Sequence, residues 1–412
     1  MAFKDWGISP MLMFSVGVLV LSAFNYGFSD QAFSTGQAMD SFEHQFGYYD
    51  AAKDKWALKP LFKSLYNSCK AGGQIIDIYL GMQMAVIPTA LSELAPAKFR
   101  GGMGVLYWLS IKCGGLLVTG IARGTENITS NAAWRIPFGL ILVIPSIICC
   151  AVWFTVEPPR WVSQQLQKRS FKDLFTKENR QRTFVVAACN FFQQATGQAF
   201  ASQYGTLFVK QLNTINPFSV TLGTNAVDIG AIIISALLID QVGRRIMFSV
   251  SSTMQTVFLM TMGGLGTADS SNIDAKKGIV AMLLLYSFSW SLGWAPLTYV
   301  IGAELPSAPL REMTLQIAYT LKLVTEFAVT FSYPYMETAD TPGHVYLGGK
   351  LGFIYGSISF LAIIFGFLFI PETKRMELED IDKQFSVPSK DDLKIAENQA
   401  YEEETTISEV PK

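Results

Sequence analysis

The chain has 412 residues, half of them hydrophobic and only 16% charged, with 32 Lys/Arg against 33 Asp/Glu and a mean hydropathy of +0.29. This is the composition of a protein that lives in a lipid bilayer, and no basic excess exists to hold nucleic acid. No metal-ligand spacing, catalytic triad or phosphate loop occurs, so neither a cofactor nor an enzymatic activity is expected.

A helix needs about 20 mostly apolar residues to cross a bilayer. Ten such segments are expected, at about 11–33, 71–91, 102–122, 136–156, 184–208, 218–239, 246–266, 279–302, 313–335 and 347–370. The first has no convincing small-residue cleavage site and reads as a retained span. Towards its end lies Asp30. A polar stretch at 36–63 follows. The segment at 71–91 is the weakest, with Lys70 just before it and Asp77 inside it; the next carries Lys112. After four segments comes a loop, 157–183, with seven Lys/Arg, whose 163–183 part reads as amphipathic and lying against the inner leaflet. The fifth segment holds Gln193, Gln194, Gln198 and Gln203, the sixth Asp228, and the ninth Lys322 and Glu326, one turn apart. From Glu377 to Lys412 eleven Asp/Glu stand against four Lys, a solvated and largely disordered tail. The expected organisation is a helix bundle over 1–156, a cytosolic loop over 157–183, a six-helix bundle over 184–371 and an acidic tail over 372–412. With both termini inside, cytosolic segments hold 19 Lys/Arg and outer segments 10, which satisfies the positive-inside rule.

Two phrases recur. Ser92-Glu93-Leu94-Ala95-Pro96-Ala97-Lys98-Phe99-Arg100 returns, 211 residues on, as Ala303-Glu304-Leu305-Pro306-Ser307-Ala308-Pro309-Leu310-Arg311. Val156-Glu157-Pro158-Pro159-Arg160 returns as Pro371-Glu372-Thr373-Lys374-Arg375. Charged signatures repeated at the ends of apolar runs indicate a duplicated membrane bundle, the architecture of secondary transporters. Duplication demands equal halves, yet four segments precede the basic loop and six follow it. The shortfall falls near Asn67–Gly81.

Six phrases in order carry a resemblance to a known family. They are Ser92 to Gly101; Trp134-Arg135-Ile136-Pro137-Phe138-Gly139; Glu157-Pro158-Pro159-Arg160-Trp161; Gln193-Gln194-Ala195-Thr196-Gly197; Asp240-Gln241-Val242-Gly243-Arg244-Arg245; and Pro371-Glu372-Thr373-Lys374. Together they resemble the sugar porters of the major facilitator superfamily, above all fungal members. The resemblance implies an all-α polytopic fold of two pseudo-repeated bundles, here with about 10 transmembrane helices instead of 12. It implies alternating access around a central site, a plasma-membrane location, and a sugar or polyol as substrate, with a proton as the coupling ion. It also implies an inner-side gate drawn from Glu93, Arg100, Glu157, Arg160, Asp240, Arg244, Arg245, Glu304, Arg311 and Glu372; interfacial anchoring is the plainer use of such charges. The chain departs from the family pattern where the first-half Gly-Arg-Arg turn is missing and where the usual buried Arg of the fourth helix falls on Gly73.

A sugar site needs amides or carboxylates for hydroxyls and flat rings for C–H faces. Gln193, Gln194 and Gln198 supply amides, Tyr204 and Tyr299 rings, and Asp228 a carboxylate where the family has Asn. Four Gln in an apolar run face protein, water or ligand, so interhelical bonding is the other reading. Asp30 stands where proton-coupled members keep their proton site; an outer-edge Asp in water is the other reading. Two rivals to sugar transport remain: transport of a non-sugar metabolite, and a non-transporting remnant or sensor-like paralogue.

Overall fold

The computed structural model describes residues 10–50, 55–79, 100–155, 170–177, 179–269, 272–337 and 347–374. The first half holds α1 (Pro10–Gly36), α2 (Asp40–Phe46), α3 (Pro60–Tyr79), α4 (Arg100–Thr125), α5 (Ala132–Leu140) and α6 (Val143–Ala151). The second holds α7 (Asn179–Ala195), α8 (Gln198–Leu212), α9 (Pro217–Val242), α10 (Arg244–Leu265), α11 (Ile273–Leu292), α12 (Trp294–Glu304), α13 (Arg311–Glu337) and α14 (Leu351–Phe369). With α5–α6, α7–α8 and α11–α12 each counted as one interrupted column, the described residues build eleven helical segments, of which α2 is only seven residues long. Among the described residues the fold is all-α apart from one pair of strands between α2 and α3, β1 (Tyr48–Asp50) antiparallel to β2 (Lys55–Ala57) with Tyr49 opposite Trp56.

Only six of these segments are long and apolar enough, by length and composition, to cross a membrane: Met11–Gly36, Gly104–Thr125, Ala132–Phe154, Pro217–Ile239, Ile273–Glu304 and Gly348–Phe369. The others dilute their apolar runs with inward-facing polar residues. The expected span at 71–91 is the clearest correction. The helix there starts at Pro60, where a proline suits the first turn, and its residues 80–91 lie outside those described. Lys63, Asn67, Lys70 and Gln74 recur along it at helical spacing, so they share one face.

Besides the interruption between α5 and α6, two expected spans are broken rather than continuous. Gly197, with φ +102°, separates α7 from α8, and a Cβ there would meet the Tyr355 ring at 3.0 Å. Gly293 separates α11 from α12. The first break sets Gln193 and Gln194 on one side of a hinge and Gln198 on the other.

Within the first half α1 packs along α4; within the second, α10 packs on α11 and α14. Among the described residues the most extensive contacts that join the halves are α3 with α13, α4 with α9, and α1 with α8, and α4 also meets α12. Trp290, Trp294, Tyr204, Tyr286 and Tyr333 fill the interior. Outward stand Trp153, Leu142, Leu237 and Leu368, an apolar exterior that a bilayer covers.

The α1–α4 crossing is backbone on backbone. A Cβ on Gly27 would lie 1.9 Å from the Ile111 carbonyl oxygen, and one on Gly114 2.1 Å from that of Phe24. Small residues permit such approach in membranes. Gly27→Ala is expected to force the two helices apart and to destabilise the protein by about 1–3 kcal/mol or more, as overpacking does. A lowered thermal midpoint in detergent checks it; a midpoint equal to that of the parent protein speaks against so close a crossing.

Candidate functional site

The polar face of α3 is turned towards α1. Asn67 and Gln37 exchange two amide hydrogen bonds, of 2.9 and 3.1 Å. Gln74 donates to the Tyr26 hydroxyl over 3.4 Å. Between them Lys70 forms an ion pair with Asp30, and the Gln203 amide from α8 donates to the same carboxylate oxygen at 3.0 Å. Asp30 is therefore no outer-edge residue in water: its side chain is 14% exposed and bonded from both halves of the molecule. Lys70, one turn before Gly73, places a cation against Asp30.

A second ion pair crosses the halves deeper in. Lys112 of α4 donates to Asp228 of α9 at 2.6 Å, with Asp228 fully buried. Ser287 of α11 bonds to both oxygens of the same carboxylate, at 2.8 and 2.9 Å. Burying a charge without a partner is expensive, and here each carboxylate has a lysine. Lys322, also buried, donates to the Tyr299 hydroxyl at 3.1 Å, so its partner is a phenol on α12 as well as the neighbouring Glu326 charge expected from sequence.

These groups wall a hollow between the halves. It is lined by Tyr26, Asp30, Trp108, Gln194, Trp290 and Glu326, among others including Gln198, Gln203, Lys112 and Lys322. Trp108 and Trp290 meet edge to face with centroids 5.2 Å apart. The side-chain oxygens of Gln194, Gln198, Gln203 and Gln31 are buried without a hydrogen-bond partner. Among the expected substrate residues, Gln194 and Gln198 thus reach this hollow, and Asp228 lines the one beside it. Gln193 is fully buried behind the wall, its backbone carbonyl accepting from the Trp290 indole at 3.2 Å. Tyr204 bonds instead to the carbonyls of Thr330 and Lys63, joining α8, α13 and α3, and Tyr299 packs in a ring cluster with Tyr107 and Trp108. Lys70, Gln31 and Asn225 escaped sequence reading. For Lys70 the polar spacing along 63–74 was the available signal.

At the rim where α10 begins, Arg244 pairs with Glu304 at 3.2 Å, and the Arg244 and Arg245 amides donate to the Glu372 carboxylate at 3.0 and 3.2 Å. Thr373 donates to the other Glu304 oxygen at 2.8 Å. Arg311 is buried at the start of α13. All of these belong to the second half. Glu93, Glu157 and Arg160 lie outside the described residues; Arg100 opens α4 and Asp240 lies in α9, but their side chains are not among those described.

The opposite rim is clasped across the halves. The Lys210 ammonium, at the end of α8, donates to the Ala38 carbonyl at 2.9 Å and to Asp40 and Glu43 at 2.7 Å each. Asn216 donates to Glu126 at 3.0 Å. Burial raises the Glu43 carboxyl above the usual glutamate range, against the opposing pull of Lys210 and Lys63 and with a small push from Asp40. The sign follows. A carboxyl whose folded pKa is raised favours the folded chain at low pH and loses that contribution as pH rises through the folded value. The clasp behaves oppositely, since it needs the ionised form. Mild acid, still above the ordinary glutamate range, is therefore expected to loosen this rim without unfolding the protein, as cysteine labelling at position 38 would register. Labelling that ignores pH, or that keeps its pH dependence in Glu43→Gln, counts against this role.

The geometry is that of two helix bundles meeting around an amide- and indole-walled chamber. A solved structure of the proton:xylose symporter XylE bound to 6-bromo-6-deoxy-D-glucose superposes with a TM-score of 0.70 at 16% identity, over 91% of this chain and 99% of that one. An inward-open structure of the same xylose transporter, from E. coli, gives 0.64 at 15% identity, over 91% and 100%. The chain has the major facilitator fold.

A family model described as sugar (and other) transporter matches residues 63–169 and 162–385, and the chain belongs to that family. Among curated relatives, the Neurospora crassa protein named "Probable glucose transporter rco-3" is 24% identical over 361 residues, 76% of this chain and 61% of that protein. The high glucose sensor RGT2 of Saccharomyces cerevisiae is 25% identical over 359 residues, 76% and 47% respectively. The hexose transporter HXT13 of the same yeast is 24% identical over 359 residues, 75% and 62%. The chain thus spans about half to three fifths of the length of these relatives. It is an integral, multi-pass membrane protein of a transporter family, not an enzyme.

Proposed function

We propose that the protein is a proton-coupled carrier that moves a sugar across the plasma membrane by alternating access, with both termini in the cytosol. The observation that carries this reading is the chamber between the halves, lined both by glutamines whose side-chain oxygens lack a partner and by two indole rings. Glutamine amides answer hydroxyl groups, and indoles cover the C–H faces of a pyranose. A proton enters the cycle at Asp30. Lys70, from the same half, neutralises the carboxylate, and Gln203 holds it from the other half; when the halves separate the Gln203 bond is lost, and a proton takes its place on the carboxylate. The clasp of Lys210 with Ala38, Asp40 and Glu43 closes the outer rim, so the conformation described is one with its outer side shut. Rocking then consists in exchanging this clasp for contacts at the cytosolic rim.

Uptake of labelled D-glucose, maltose and sorbitol by cells stripped of their own sugar carriers tests the reading. At least one should accumulate, and Gln194→Ala should weaken its apparent affinity by about 1–3 kcal/mol, the cost of a buried hydroxyl left without a partner. Unchanged affinity at normal surface expression removes Gln194 from the site. A second reading rests on the likeness to RGT2, a glucose sensor. A sensor binds sugar without moving it, so saturable binding with no uptake at all would favour that reading.

A further inference from the structure

Among the described residues, three carboxyl groups lie at or beside the central chamber, and two of them are held by bonds. Asp30 has Lys70 and Gln203; Asp228 has Lys112 and Ser287. Glu326 is the third. It is 5% exposed and lines the chamber from α13, yet among the described residues no hydrogen bond or ion pair holds its carboxyl group. Lys322 sits one turn before it, but the ammonium is drawn to α12. It donates to the Tyr299 hydroxyl at 3.1 Å and stands 5.4 Å from the centre of the same ring. A phenol oxygen and a ring face can hold a buried ammonium; neither serves a carboxylate. An ionised carboxyl buried without bonds is costly, and a proton removes that cost by neutralising it.

The neighbouring charges are placed for that proton to move. Lys70 on α3, Asp30 on α1 and Lys322 are the ionised groups whose fields reach Glu326, with the Tyr26 and Tyr299 phenols beside them. α7 and α8 bring only amides and one serine hydroxyl to this wall, and Lys112 on α4 is taken up by Asp228. One lysine, Lys70, thus stands among two carboxyl groups that belong to opposite halves, and it bonds to one of them.

Building on the transport reading above, we propose that Glu326 is a second proton-carrying residue, and that the proton crosses between the halves by passing from Asp30 to Glu326. The O–H bond of the Asp30 carboxyl breaks and an O–H bond forms on Glu326, directly or through water in the chamber. No other group changes its charge. With the outer side open, Asp30 holds the proton and Glu326 is the ionised partner of Lys70. Closure brings Gln203 onto Asp30, which takes Lys70 and gives up the proton. Glu326 then holds it, and releases it once the inner side opens.

Infrared spectra of the purified full-length chain at neutral pH test this, because a protonated carboxyl has a C=O stretch that a carboxylate lacks. Glu326→Gln should remove one such band, and Asp30→Asn should leave it in place. Glu326→Asp keeps the acid and should shift the band, which decides the point if the first variant folds poorly. In liposomes with an inward proton gradient, label carried by Glu326→Gln should stop at the outside level, whatever rate of counterflow the variant retains. A spectrum in which neither variant changes a carboxyl band means that Glu326 is ionised in this conformation and overturns the proposal. Full accumulation by Glu326→Gln overturns it too. Both results leave sugar transport standing. Counterflow absent from the parent protein removes the transport reading, and the relay with it.

Discussion

Lys112→Met is expected to destabilise the protein by about 3–5 kcal/mol, the usual consequence of stranding one partner of a buried ion pair. Asp228 would keep only the Ser287 hydroxyl and would sit, fully buried, between α4, α9 and α11. The cost comes from the stranded charge and not from the lost attraction. The double variant Lys112→Met with Asp228→Leu should therefore recover most of the loss, short by the roughly 1–3 kcal/mol of an unsatisfied Ser287 hydroxyl. Thermal midpoints in detergent for the parent, both single variants and the double variant form a complete cycle. If the double variant is no more stable than Lys112→Met, the pair is not an isolated electrostatic unit and the assignment fails.

Asp30→Asn is expected to abolish accumulation of sugar against its gradient. One proton moving through 100 mV supplies about 2.3 kcal/mol, enough for a roughly fifty-fold gradient at about 1.4 kcal/mol per decade. Asn retains the shape and can still accept from Gln203 and Lys70, so exchange of sugar across the membrane should survive while its concentration stops. Vesicles carrying the variant, given an inward proton gradient, should therefore equilibrate labelled sugar without exceeding the outside level. Full accumulation by Asp30→Asn would move the proton site elsewhere.

The second half was readable because its signals are local. Glu304 and the Gly243-Arg244-Arg245 turn sit at span ends and meet there, and the glutamines of 193–203 break an apolar run conspicuously. The first half was harder for a physical reason. Hydropathy averages over a whole turn, and in α3 one face in every turn is polar: Lys63, Asn67, Lys70 and Gln74 pull the average down although Asn67, Lys70 and Gln74 bond to Gln37, Asp30 and Tyr26. The helix starts eleven residues before the expected span, and the spacing of its polar residues, rather than mean hydropathy, is the signal that marks it. The breaks at Gly197 and Gly293 were not readable from apolar content, because a glycine in a membrane helix serves close packing as often as it ends a helix. The pairings Lys70 with Asp30, within the first half, and Lys112 with Asp228, across the halves, join residues 40 and 116 apart in the chain. No local pattern fixes contacts at such separation. Tyr204 illustrates the reverse error: an aromatic at the right depth in the right helix, but turned to join α8 with α3 and α13.

The central claim is that this chain moves sugar through the space between its two halves. Counterflow measures that directly. Liposomes holding the purified protein are loaded with unlabelled D-glucose or maltose and diluted into trace label, with no ion gradient. The account predicts transient accumulation of label for at least one of the two sugars, absent for L-glucose and strongly reduced in Gln194→Ala. Label that never exceeds equilibrium with either sugar, from protein that is folded and correctly inserted, would contradict it.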